Sequence, residues 1–118
     1  MFKPRFARLV EAHTKRQTFR PIPKRMPQPG DIIDCREWSG KPYRSPQTKL
    51  IEATITNVVR ALITESGIAF EISEGKWVIG SEETIAIADG FKDWPEMRDW
   101  FKAQHGLPVD CILIQWQP

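Results

Sequence analysis

The chain lacks any long hydrophobic run. Its longest apolar stretches, such as "CILIQW" near the end, stop well short of the roughly 20 residues that a bilayer-spanning helix needs. The charged first residues lack the apolar segment of a secretory signal, so a cytoplasmic protein with no membrane partner is expected. Cysteine is scarce as well. Cys35 and Cys111 lie far apart inside apolar, strand-like runs and show no CxxC spacing. Buried free thiols are therefore expected, rather than a disulfide or a zinc site completed by His13 and His105, and no metal or cofactor is expected. Internal repeats and low-complexity segments are missing too. With 118 residues and 41% hydrophobic content, the chain is long enough for one core, and a single domain over residues 1–118 is expected.

Acidic residues are thin in the first part of the chain. Residues 1–49 carry a net charge of +8 and the remainder −6, although the total is only +2. Folded together, the two parts would present a basic side and an acidic side, and a basic side attracts phosphate backbones. The stretch "HTKRQTFRPIPKRMPQPGD", His13 to Asp31, concentrates five Lys or Arg and four prolines and closes on its single acid. The prolines exclude helix and central strand, so Pro21 to Gly30 is expected to be a stiff, extended loop ending in a "PGD" turn.

Periodicity organises the rest. "PRFARLVEAH" spaces Phe6, Leu9, Val10 and His13 along one helical face, with Pro4 tolerated in the first turn. "RQTFR" alternates at period two, which puts Arg16, Thr18 and Arg20 on one face of a short strand and Gln17 and Phe19 on the other. Further strands are expected at "DIIDCREW", "TKLIEATITNVVRALI" (with a bend or bulge in "VVRALI"), "GIAFEIS", "GKWVIG" and "CILIQW". "TIAIA" also alternates, which places Asp89 at a strand end and leaves Glu82 and Glu83 in a solvated loop. A second helix is expected in "DWPEMRDWFKAQHG". Asp93 caps it, Glu96 lies three residues on, and Gly106 stops it. The fold class expected is α+β: five to six strands forming a small mixed β-barrel, flanked by two short helices.

Several residues are candidates for chemistry. A lysine desolvated in a cleft can lose its proton near neutral pH, so Lys15 can serve as a base for the hydroxyl of Thr18. Arg20, on the same face, offers a fork of donors to a carbonyl or phosphate oxygen. Asp89 at a barrel mouth would supply a carboxylate, although an Asp-Gly turn is the plainer reading. Arg16, Lys24, Arg25, Lys41 and Arg44 are candidate phosphate contacts. Trp38 and Tyr43, beside the basic "GKPYR" loop, are candidate stacking platforms. Trp94, Trp100 and Trp116 are expected to pack in the core.

The order of these segments resembles that of the ASCH domain family, a branch of the PUA-like superfamily. "HTKRQTFR", the strand after "PQPGD", "DGF", the amphipathic helix and "GLPVDCILIQW" carry the resemblance, which covers nearly the whole chain. Lys15, Thr18 and Arg20 match the basic signature of that family. Phe19 stands where isoleucine is usual, and His13 and Arg16 replace the common glycine and threonine. The resemblance implies a PUA-like barrel with this signature lining its cleft. It also implies RNA binding, and some small family members are similar to amidohydrolases that deacetylate the exocyclic amine of cytidine with a lysine, a threonine and a glutamate. Others have been described as ribonucleases. Lys15 and Thr18 carry over onto the first two roles, while Asp89 stands in the region of the third.

Binding of RNA or a nucleotide in a basic cleft is therefore the leading expectation. An amidohydrolase acting on an acylated nucleoside, with Lys15, Thr18 and Asp89 as catalytic residues, is the alternative. A protein-interaction module is a third, because a stiff basic loop can also dock on an acidic partner.

Overall fold

The computed structural model describes residues 2–38 and 47–117, so Lys41, Tyr43 and Arg44 lie outside the described residues. The elements run α1 (Pro4–Glu11), β1 (Gln17–Pro21), β2 (Ile32–Trp38), β3 (Gln47–Thr64), β4 (Gly67–Ser73), β5 (Lys76–Ile79), α2 (Glu82–Ala88), α3 (Trp94–His105) and β6 (Val109–Gln117). All strand pairings are antiparallel.

The 18-residue β3 organises the sheet, because different stretches of it pair with β2, β6 and β4. The strand order is β1-β6-β3-β4-β5, with β2 joined to β3 off this path. The fold is α+β as expected, but the sheet does not close into a barrel. Its end strand β5 has four residues, all exposed, too short an edge for the far strands to join. A bulge does interrupt β3, between Ile55 and Asn57, slightly before "VVRALI". Beyond it the inward phase resumes with Ala61 and Ile63, both fully buried.

The described residues hold three helices rather than two. "TIAIA" belongs to helix α2, not to a strand. Its four alternating Ile and Ala residues suit either period, and a local signal settles the matter: Ser81 followed by Glu82 and Glu83, acids that favour a helix N-terminus. In the helix Ala86 turns inward and Ile87 outward, while Glu83 accepts a hydrogen bond from the Trp94 amide at 3.1 Å. Helix α3 forms where expected, with the Asp93 side chain accepting from the Glu96 amide at 2.9 Å.

Phe6, Ala7 and Val10 of α1 and Met97 and Phe101 of α3 bury against Phe19, Ile63, Ile68 and Leu113 of the strands, giving one continuous apolar cluster. Cys35 and Cys111 are buried free thiols, and burial pushes them up to about 11 and about 12. No helix among the described residues is long and apolar enough to cross a membrane.

Candidate functional site

Two helix ends meet beside β1, and each delivers one polar residue into the core. After α1 the chain reverses at His13, whose φ of 60° is left-handed. The amides of Thr14 and Lys15 then both donate to the carbonyl of Leu9, at 2.9 and 3.0 Å. This fold-back tucks Lys15 beneath its own helix.

Helix α2 ends in a two-bond cap. Gly90 donates to Ile87 and Phe91 donates to Ala86, with Gly90 at a φ of 97°. Asp89 occupies the last position before that reversal and points inward. Gly90 is required twice over. Its backbone conformation disfavours a side chain, and a Cβ there would lie 3.0 Å from Leu9 and 3.1 Å from Phe6 of α1. Close helix contact thus brings Asp89 to Lys15.

The Lys15 ammonium donates to the main-chain oxygen of Asp89 at 2.6 Å and to its Oδ1 at 2.9 Å. Lys15 is 2% exposed and Asp89 4%. Burial lowers the Lys15 pKa against the opposing pull of Asp89, and burial raises that of Asp89 against the pull of Lys15. The two shifts converge, so the proton is held less firmly on nitrogen than in water. Burial also lowers Arg20, opposed by Asp89, and its guanidinium lies 5.0 Å from the Phe2 ring centre. Gln17 comes near enough to Asp89 to favour its charge, yet its Nε2 makes no hydrogen bond of normal geometry among the described residues.

Lys15, Asp89 and Arg20 line a small cleft of about 100 Å³. Thr18 and Lys3 complete its polar part; Phe2, Phe6, Phe19, Phe91, Trp100 and Phe101 supply aromatic walls. Thr18 and Arg20 are half-buried while Gln17 and Phe19 are buried, as the alternation in "QTFR" implies. The space suits one small planar or polar group.

The other candidate residues fall elsewhere. Arg16 precedes β1 and is exposed, its Nε donating to the His13 carbonyl at 2.9 Å. It does not line the cleft with Thr18 and Arg20, because its side chain turns back on the His13 carbonyl in the exposed turn ahead of β1. Lys24 and Arg25 are exposed in the proline loop and line no part of the cleft. Trp38 is the last residue of β2, paired in register with Gln47. Asp89 is at a helix end, not a strand end.

Trp94 and Trp116 are buried as expected, but Trp100 is half-buried and forms part of the cleft wall. Phe6, expected only on an apolar helix face, is a further wall residue, as are Phe2 and Phe91, which sequence patterns did not single out. Apolar periodicity cannot tell a core face from a cleft wall built from the same face. Among the described residues no cluster of His, Cys, Asp and Glu could hold a metal. No protein-family model, curated protein or solved structure matches this chain.

Proposed function

We propose that the chain binds a nucleotide or an RNA segment, with one base in the Lys15–Asp89 cleft, as its resemblance to ASCH and PUA-like proteins implies. The observation that supports this is the meeting of Lys15, Thr18, Arg20 and Asp89 in a cleft lined by six aromatic residues. A base presents flat faces to such walls and hydrogen-bonding edges to such a floor. Lys24 and Arg25, exposed in the loop that follows β1, would contact phosphates beyond the cleft.

One observation favours a second reading, hydrolysis of an acylated exocyclic amine. Lys15 and Asp89 form a buried ion pair at 2.9 Å, and Thr18 lines the same small space. In this reaction Lys15 starts in its neutral form, water attacks the acyl carbon and its proton passes to the Lys15 nitrogen. The tetrahedral oxygen accepts from the Thr18 hydroxyl or the Arg20 guanidinium. The carbon–nitrogen bond then breaks as the leaving amine takes a proton from the Lys15–Asp89 pair, releasing a carboxylic acid and the free nucleoside.

Incubation with N4-acetylcytidine, assayed for cytidine and acetate, separates the readings. Under hydrolysis, Lys15→Ala and Thr18→Val abolish product, and the rate rises with pH as Lys15 loses its proton. Binding without product leaves the binding reading alone. Absence of both binding and turnover across nucleosides, nucleotides and short RNA would refute both.

A further inference from the structure

Beside the cleft lies a second cavity of about 140 Å³, and Phe2, Thr18 and Arg20 line both, so that the two stand as neighbouring lobes. The second differs in character from the first. Arg36 and Asp34 of β2 face it, joined by an ion pair at 3.0 Å, and Lys49 of β3 reaches the other oxygen of Asp34 at 3.3 Å.

Asp34 is thus shared between two cations, and Lys49 also pairs with Glu52 at 3.0 Å, so with Arg20 and Arg36 the lobe and its rim keep a net positive charge of one. A guanidinium has five N–H donors, so the ion pair with Asp34 leaves Arg36 able to serve a second acceptor. Trp116, 2% exposed, forms part of the same wall. A positive lobe with a surplus of donors favours an acceptor-rich anion.

We propose that this second lobe takes the phosphate of a nucleotide whose base lies in the first lobe, so that the ligand is a nucleotide and not a free nucleoside. The proposal rests on the binding reading above and specifies its ligand. A nucleotide has the required layout: a flat base at one end, a phosphate at the other, and a ribose between them to pass Thr18 and Arg20. Arg36 and Arg20 would hold the phosphate oxygens, with Lys49 keeping Asp34 neutralised.

Titration calorimetry at low salt tests this with each of the four ribonucleosides and its 5′-monophosphate, using inorganic phosphate as a control. The expected result is that at least one monophosphate binds about tenfold tighter than its nucleoside, the worth of a charge-assisted contact. Arg36→Ala should remove that advantage while the nucleoside's own affinity stays unchanged. Asp34→Asn should widen it, since the carboxylate no longer competes for Arg36; this opposite sign cannot come from damaged folding. Equal affinity for nucleoside and monophosphate, or an advantage that survives Arg36→Ala, would overturn the proposal and leave the base-binding reading intact. Failure of every nucleoside and nucleotide to bind would overturn this proposal, and failure of short RNA as well would overturn the base-binding reading with it.

Discussion

The Lys15–Asp89 pair should cost the fold stability, and a mutant cycle can show it. Lys15→Met removes two hydrogen bonds, at 2.6 and 2.9 Å, and strands a carboxylate that is 4% exposed. Losing one member of a buried pair costs about 3–5 kcal/mol. Adding Asp89→Leu removes the stranded charge. Replacing both members of such a pair with apolar residues commonly gains about 1–4 kcal/mol over the original. Here the Asp89 carbonyl still loses its donor, at a cost of about 1 kcal/mol. The double variant should therefore be about as stable as the parent, or up to about 3 kcal/mol more stable.

The pH dependence should change with it. Asp89 is raised above its ordinary 3.8, so in the window above that value the folded state holds more protons than the unfolded state, and stability falls as pH rises. Lys15 is lowered below 10.5, so in the window beneath that value the unfolded state holds more protons, and stability rises with pH. In Lys15→Met the deficit should shrink in acid, where Asp89 is neutral. In the double variant both slopes should vanish. Urea unfolding across the pH range measures all four corners of the cycle. A double variant as unstable as Lys15→Met, with the same pH dependence, would refute the assignment of the pair as a buried, desolvated charge couple.

Two further outcomes follow from the geometry. Gly90→Ala should destabilise the fold by about 1–3 kcal/mol, because it combines a left-handed φ with contacts near 3 Å to α1, and it should weaken cleft binding by shifting Asp89; unchanged urea midpoint and affinity would contradict this. Lys24→Ala with Arg25→Ala should weaken binding of single-stranded RNA and flatten its salt dependence while leaving the thermal midpoint unaltered, and an unaltered salt slope would assign the loop to another role.

Much of this arrangement could be read from local chemistry. The alternation in "QTFR" set Thr18 and Arg20 apart from Gln17 and Phe19, and the Asp93 to Glu96 spacing marked the start of α3. What escaped was the part that depends on two segments meeting. Helix α2 was hidden because four alternating residues fit two periods, although its acidic first turn held the clue. Asp89 and Lys15 are 74 positions apart, and only the packing of α1 against Gly90 joins them. The barrel expected from strand count failed because closure depends on whether the end strands are long enough to pair, and the number of strands does not decide that.

The shorter of the two Lys15 contacts goes to the main-chain oxygen of position 89, not to its carboxylate. Every amino acid brings that oxygen, so one of the lysine's two contacts does not depend on the side chain that stands there. A lineage that exchanged aspartate for a longer acid would change the proton chemistry of the cleft while keeping that contact and a negative partner for the lysine that defines its floor. The anchor and the reactive group are separately heritable parts of one site.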